Sequence, residues 1–158
     1  KLNNLERNKI LSDLKITLKQ FRNFNFRDSY PVDFVLSLKD DEFLDNLNKF
    51  EWLKKFDKPV LGICGGMQII GLVYGGTLGN ETEIGYYEEE INILGVEGKQ
   101  QVYHLHNNYV DFSKLDFQVF VGRKVSQAVK HKTKKIYGVL FHPEVRQKEL
   151  IKEFCDLK

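Results

Sequence analysis

The sequence has 158 residues, of which 42% are hydrophobic and 29% are charged, and this length predicts one domain over residues 1–158 with a core of its own. No apolar run approaches the roughly 18–20 residues of a membrane span, and the start lacks a signal-peptide pattern. The 24 basic and 22 acidic residues nearly balance, which disfavours a dedicated nucleic-acid-binding protein.

The first half of the sequence alternates helical and strand-like patterns. Helices are predicted over 1–14 and 40–56, and a third follows Cys64 and ends near Val73 or Tyr74, before a Gly-Gly pair. Strands are predicted over 16–21, 32–36 and 60–63, the last two as short apolar runs typical of buried strands. This alternation is typical of parallel α/β sheets.

The second half is dominated by short strand-like segments separated by turn residues. They are predicted over 84–86, 90–93, 101–105, 117–121, 126–129 and 135–141, and an amphipathic helix over 144–157 closes the chain. Two charged runs lie between them. The acidic residues 88–90 are predicted to form a solvated turn and the basic segment 130–135 a solvated hairpin.

The segment from Gly62 to Gly66 has the pattern Gly-x-nucleophile-x-Gly between a strand and a helix. A nucleophile elbow requires small flanking residues because the turn is tight and strained. Cys64 would then lie at a helix N-terminus, where the dipole favours a thiolate, and the Gly65 N–H would face an oxyanion. A buried cysteine in a glycine-rich turn explains the pattern equally well.

A possible base for that thiol is His142, which follows the apolar strand 135–141. Glu144 is two residues further on, and this spacing puts both side chains on one side of an extended segment. Pro143 favours an extended conformation at His142. Glu144 could therefore orient the imidazole while its other nitrogen faces Cys64. Alone, the same residues are also consistent with a solvated turn.

Together these motifs resemble the class I, triad-type glutamine amidotransferases. The Gly-x-Cys-x-Gly-x-Gln motif matches residues 62–68 and the His-Pro-Glu motif matches 137–145, while 83–85 resembles a Glu-x-Gly segment and 105–110 a Ser-His-x-Asp-x-Val segment. The resemblance covers roughly residues 32–158. It is strongest to the free-standing amidotransferase subunits of archaeal GMP synthases, whose approach to the His-Pro-Glu motif is similar to residues 130–138.

The resemblance implies an α/β, flavodoxin-like fold with a mostly parallel central sheet flanked by helices and additional antiparallel strands in the second half. The family opens with an apolar strand, whereas this sequence begins at the helix that should follow it. We therefore expect the first strand of the fold to be missing from this sequence, as would follow if the chain were processed or truncated.

The resemblance also implies the chemistry. Cys64 would attack the side-chain amide of glutamine, His142 would transfer protons, Glu144 would orient His142, and Gly65 would supply an oxyanion N–H. Gln68 and the backbone around His106, Asn107 and Asn108 would hold the glutamine. No cofactor is expected. Ammonia would pass to a synthetase partner, an ATP-pyrophosphatase subunit, for GMP synthesis in purine biosynthesis.

Two departures from the family pattern leave alternatives open. The family carries a Gly-Gly-Pro run after the 32–36 strand, where the backbone bends sharply to give the other oxyanion donor. Here that stretch reads Ser37-Leu38-Lys39-Asp40-Asp41, and neither Leu38 nor Lys39 adopts positive φ easily. Leu105 and Asn108 also replace the Ser and Asp of the Ser-His-x-Asp segment. The alternatives are an impaired or regulatory relative and a γ-glutamyl hydrolase on the same triad.

The remaining candidates receive no functional role. His104 and His106 are two apart on a strand and could bind a metal, but no cysteine or carboxylate spacing supports this, so no metal site is predicted. Cys155 has no motif around it. Two cysteines without a disulfide framework favour a reducing, cytoplasmic setting.

Overall fold

The computed structural model describes residues 34–38 and 41–157. Their strands are β1 Phe34–Leu38, β2 Val60–Cys64, β3 Thr77–Ile93, β4 Val96–Asp111, β5 Phe117–Val121, β6 Ser126–His131 and β7 Ile136–Val139. Their helices are a 3₁₀ helix Asp41–Lys55, α1 Gly65–Val73 and α2 Lys148–Cys155. None of these helices has the length and apolar character needed to cross a membrane.

Five strands form a mixed sheet in the order β1-β2-β7-β6-β5. The pairs β1–β2 and β2–β7 are parallel, whereas β6 pairs antiparallel with both β7 and β5. The predicted combination of parallel strands and additional antiparallel strands in the second half is therefore confirmed.

Strand β2 lies inside this sheet, and all five of its residues are buried. Alternate side chains enter two cores on opposite faces of the sheet: Val60 packs on the side of the 3₁₀ helix and α1, and Leu61 and Ile63 on the side of α2. Burial on both faces explains why the strand is a continuous apolar run rather than an alternating one.

Strands β3 and β4 form a separate long antiparallel hairpin. The two strands predicted over 84–86 and 90–93 are parts of one strand, and the turn predicted at 88–90 is wrong. Glu88 and Glu90 lie on the solvent side of β3 and Glu89 is buried, so the acidic run alternates as a strand does. The chain instead reverses at Leu94 and Gly95, both at positive φ, as in a tight hairpin turn.

Other boundaries differ by a few residues. The helix predicted over 40–56 is present, as the 3₁₀ helix, and β1 extends two residues past its predicted end. The closing helix starts at Lys148 rather than 144, because Val145 N–H bonds back to the His142 carbonyl in a turn. The basic hairpin connects β6 and β7 as predicted, although its His131 is buried. Residues 1–33, with the predicted helix 1–14 and strand 16–21, lie outside the described residues.

We expect Gly62→Ala to lower the free energy of unfolding by about 3 kcal/mol, at the upper end of overpacking effects. A Cβ at this position would lie 2.6 Å from the Gly66 carbonyl carbon and from Ile70 Cδ1, so α1 would have to move away from β2. Urea unfolding followed by circular dichroism measures the loss.

The control variant is Gly98→Ala. A Cβ there meets nothing within 4 Å, and only the φ of +77° opposes it, so a loss of about 1 kcal/mol is expected. Equal losses in the two variants would show that close packing of α1 on β2 does not depend on Gly62.

Candidate active site

Cys64 occupies a strained turn at the junction of β2 and α1. Its φ of 52° and ψ of −110° are rare for a residue with a side chain, and such conformations raise the energy by about 1–3 kcal/mol. The turn is possible because Gly62 lets the backbone of Gly66 approach closely. The thiol is buried, and α1 begins immediately after it at Gly65. This is the geometry predicted for a nucleophile elbow.

His142 lies beside this turn because β7 is the parallel neighbour of β2. Both strands end at the same edge of the sheet, and His142 follows β7 by three residues. Its Nδ1 lies 2.8 Å from Oε1 of Glu144, and its backbone N–H donates to the Tyr103 carbonyl at 2.8 Å. The predicted orienting contact between Glu144 and His142 is thus formed, with both side chains nearly buried.

The charge state of His142 depends on its two neighbours. Burial lowers the pKa of His142, but hydrogen bonding and charge from the Cys64 side chain and from Glu144 raise it to about 10. The imidazole is then protonated in the folded protein at neutral pH. Because this pKa exceeds the ordinary 6.5, the stabilisation by the charged ring is complete below about pH 6.5 and is lost as the pH rises through about 10.

Strand β4 forms a wall next to the thiol through its backbone. The Cys64 thiol donates a weak hydrogen bond to the Leu105 carbonyl, with 3.7 Å between sulfur and oxygen. One helical turn after Cys64, the buried Gln68 side chain donates from Nε2 to the Asn108 carbonyl at 2.7 Å. The fold therefore brings Cys64, Gln68 and residues 105–108 together.

The side chains of the other predicted glutamine contacts point elsewhere. Asn107 Oδ1 accepts from Thr82 at 3.2 Å and Asn108 Oδ1 accepts from Asn80 at 3.2 Å, both across the hairpin. The imidazole of His106 is buried with its Nε2 3.2 Å from Glu83 Oε2. The side-chain oxygens of Asn107 and Asn108 are thus engaged within the hairpin, and the His106 ring lies against Glu83.

The two oxyanion positions are supported unequally. Gly65 is the first residue of α1. On the other side, Leu38 at the end of β1 is paired in register with Cys64. After this strand the sequence continues Lys39-Asp40, without the glycines of the family pattern.

A buried polar cluster behind the wall is the feature that sequence reasoning missed. Glu83, Glu89, His104 and His106 are all buried between the hairpin strands and the sheet. Gln127 on β6 donates to Glu83 at 2.9 Å, and the partly exposed Arg123 lies 3.8 Å from both carboxylates. The sequence held a signal for this cluster. Glu83 and Glu89 are an even number of positions apart on β3, as His104 and His106 are on β4, so the members of each pair share one face of their strand.

Burial sets the protonation of these histidines. It lowers the pKa of His104 to about 4, against the Glu83 carboxylate, which raises it. It also lowers the pKa of His106, against Glu83 and the Glu81 backbone. Burial raises the pKa of Glu89, and Glu83 raises it further. Both imidazoles are therefore neutral at pH 7, unlike His142. Glu83, His104 and His106 are also the described residues whose ligand atoms are grouped closely enough to hold a metal ion.

Comparison with known proteins places this geometry in a family. Residues 41–157 match the family model for class-I glutamine amidotransferases, so the chain belongs to that family. It is 36% identical over 107 residues to a subunit of the glutamine-hydrolysing GMP synthase of Methanobrevibacter smithii, covering 62% of this chain and 56% of that protein. The corresponding protein of Methanosarcina mazei is 36% identical over 124 residues, covering 68% and 66%. The chain thus spans little more than half of the first relative and about two thirds of the second.

Solved structures support the fold. A protein described as a GMP synthase subunit from Thermoplasma acidophilum superposes with a TM-score of 0.72 at 24% identity, covering 97% of this chain and 87% of that one. A glutamine amidotransferase from Thermotoga maritima gives a TM-score of 0.56 at 24% identity, covering 77% and 62%. The class I amidotransferase fold predicted from the sequence is confirmed.

The imidazole of His142 should titrate well above 6.5, and its pKa should fall in Glu144→Gln and in Cys64→Ala, because each change removes a group that holds the proton. Histidine NMR titration of the three proteins measures this. His131, whose pKa burial lowers, serves as an internal control and should be unchanged. A His142 pKa near 6.5 that neither substitution moves would contradict the charged pair.

Proposed function

We propose, from the membership of this chain in the class-I glutamine amidotransferases, that it is the glutamine-hydrolysing part of a GMP synthase. Cys64, His142 and Glu144 would release ammonia from the side-chain amide of glutamine. The ammonia would pass to a synthetase subunit of the ATP-pyrophosphatase type, in the cytoplasm.

The observation that carries this proposal is the arrangement of the three side chains. The strained turn of Cys64 ends β2, the parallel neighbour of the strand that His142 follows, and Nδ1 of His142 lies 2.8 Å from Glu144 Oε1. A nucleophile, a base and an orienting carboxylate in this order form the triad required for acyl transfer. The raised pKa of His142 supports the same roles, since a protonated imidazole can give its proton to a leaving group.

The first chemical step would form a thioester. The Cys64 sulfur would attack the amide carbon of glutamine, and the tetrahedral intermediate would place its oxyanion against the N–H of Gly65. His142 would then give its proton to the departing nitrogen, which leaves as ammonia. Glu144 would keep the ring oriented and stabilise its charge during the transfer.

The second step would regenerate the thiol. His142, now neutral, would take a proton from water as the water oxygen attacks the thioester carbon. Collapse of this intermediate would release glutamate and return the sulfur to its starting state beside the imidazolium. Gln68 and the backbone of 105–108 would hold the substrate, in agreement with their place around the sulfur.

The partner is proposed from the relatives. These proteins are named as single subunits of GMP synthases, and such a name implies at least one further subunit. Ammonia is lost to solution unless an acceptor site is near, and the sequence carries no nucleotide-binding motif of its own in residues 1–158. A separate synthetase subunit would supply that acceptor.

One observation favours a second candidate, an impaired or regulatory relative. The register of β1 against β2 pairs Leu38 with Cys64, and in the sequence Leu38-Lys39-Asp40 stands where the family pattern has Gly-Gly-Pro. Losing one oxyanion donor lowers the rate by about 10²–10³-fold. A chain with this segment would bind glutamine but turn it over slowly without its partner.

Cys64→Ala should abolish glutamate release from glutamine, and Glu144→Gln should lower kcat by roughly 10²–10⁴-fold, because the second change leaves the nucleophile but disorients the base. Glutamate release is measured with and without a GMP-synthetase ATP-pyrophosphatase subunit, and that subunit should raise the rate. Cys155→Ala is the matched control, since this exposed cysteine is outside the triad.

Glutamate release that survives Cys64→Ala would overturn the mechanism. Hydrolysis of γ-glutamyl peptides in preference to glutamine, with no response to the synthetase subunit, would instead establish a γ-glutamyl hydrolase on the same triad.

The double variant Leu38→Gly/Lys39→Gly should raise the partner-free rate by about 10-fold or more, because glycine restores access to positive φ beside the nucleophile. The readout is kcat for glutamate release, compared with Leu38→Ala/Lys39→Ala, which shortens the same side chains without that freedom. An equal rate in both double variants would show that this segment does not limit turnover.

A further inference from the structure

We propose that Glu83, His104 and His106 form a binding site for one divalent transition-metal ion, with zinc preferred. The site lies in the hairpin, behind the wall that contacts Cys64, and uses none of the triad residues. It does not depend on the glutamine chemistry proposed above.

The hairpin register brings the three side chains together. Glu83 is paired with His106, and Gly85 is paired with His104, so the acidic side chain faces both imidazoles on one side of the hairpin. Glu83 Oε2 lies 3.2 Å from His106 Nε2 and 4.0 Å from His104 Nδ1. All three residues are almost completely inaccessible to solvent.

The ligand atoms surround a point at nearly the right distance. They all lie within 4.8 Å of one another, so some point lies within about 2.8 Å of all three, against about 2.0–2.2 Å in zinc sites. Movements of less than about 1 Å, which small side-chain rotations supply, would close the coordination sphere.

Several polar atoms of this cluster lack a hydrogen-bond partner among the described residues. Both ring nitrogens of His104 are buried without a hydrogen-bond partner, as is Oε1 of Glu83. Neutral imidazoles normally satisfy at least one nitrogen when buried, because an unsatisfied polar atom destabilises the folded state by about 1–3 kcal/mol. A metal ion bound at Nδ1 of His104 would satisfy one of these unpartnered nitrogens.

Charge also favours a cation. Among the described residues, Arg123 forms the ion pairs of the buried Glu83 and Glu89 carboxylates with a guanidinium; its side chain is about half exposed and lies 3.8 Å from an oxygen of each. Partial exposure screens its charge, so the two carboxylates are incompletely compensated. A divalent ion on the imidazole side of Glu83 would offset the excess.

The ligand types select the metal. Two imidazoles and one carboxylate are typical ligands of zinc, whereas magnesium and calcium prefer oxygen alone. With Nδ1 of His104 on the metal, its Nε2 faces Glu89 Oε1 at 3.8 Å. This separation is longer than a hydrogen bond, and an approach of less than about 1 Å would complete the carboxylate–histidine–metal pattern that fixes ring orientation in zinc sites.

Strand β4 connects this site to the wall of the active site. Tyr103 and Leu105 alternate with His104 and His106, and their carbonyls accept from His142 N–H and the Cys64 thiol. A metal ion bound by the β4 histidines would therefore fix the strand whose Tyr103 and Leu105 carbonyls contact His142 and Cys64.

Metal binding is tested in Cys64→Ala, so that the triad thiol cannot bind the ion itself. The purified variant is stripped with a chelator, dialysed against Zn²⁺ and analysed for bound metal, and titrated with Co²⁺ while visible absorption is recorded. We expect one equivalent of zinc per chain and the d–d bands of a low-coordinate cobalt site.

In the same background, His104→Ala and Glu83→Gln should each weaken zinc binding by at least 10-fold. The matched control is His131→Ala, which removes a histidine that is also buried but lies outside the cluster, on β6. It should keep the zinc affinity of its parent.

The unfolding temperature of Cys64→Ala gives an independent measurement. It should rise when zinc is added and fall back to its metal-free value when chelator is added, because a ligand of the folded state stabilises that state. No stoichiometric zinc in Cys64→Ala, or equal affinity in His104→Ala and His131→Ala, would overturn the site. Either result leaves the glutamine hydrolysis of the unmodified chain unaffected, so the two proposals fail separately.

Discussion

The parallel pairing of β2 with β7 is the constraint on which the candidate active site depends. Parallel neighbours end at the same edge of a sheet, so Cys64 at the end of β2 and His142 after β7 come to the same edge although 78 positions separate them in the sequence. The other contacts of the site refine this placement. The strained turn orients the Cys64 side chain, and the hydrogen bond to Glu144 orients the His142 ring. Neither residue could compensate for a shift of β7 along β2.

The hairpin β3–β4 adds the second part of the site and has two chemically different sides. Its backbone carbonyls at Tyr103 and Leu105 accept from His142 N–H and the Cys64 thiol, whereas the alternating side chains of His104 and His106 turn into a buried polar cluster. A strand offers this division because its side chains alternate while its carbonyls remain in the plane of the ladder. The position of the wall is therefore coupled to the state of the cluster behind it.

The sequence predicts what local pattern can encode. The glycines around Cys64 indicate the elbow, the two-residue spacing of His142 and Glu144 indicates their contact, and apolar runs indicate β2 and β7. Register between distant strands is beyond such patterns. The charge of residues 88–90 favours an exposed turn when the sequence is considered alone. Their pairing with β4 in the hairpin makes them part of a strand in which Glu89 is buried. The same missing register hid the approach of Glu83 to His104.

His142 and His104 show how the same type of side chain can be protonated in one buried environment and neutral in another. His142 has a carboxylate at hydrogen-bond distance on one nitrogen and the thiol near the other, and together they outweigh burial and keep the ring protonated. His104 is equally buried, but its carboxylates stand 3.8 and 4.0 Å away, too far to hydrogen-bond, so desolvation prevails and the ring is neutral. A neutral imidazole with two unsatisfied nitrogens next to incompletely compensated carboxylates is the arrangement that a metal ion completes. At His142 the corresponding role is taken by the proton that Glu144 and Cys64 hold on the ring.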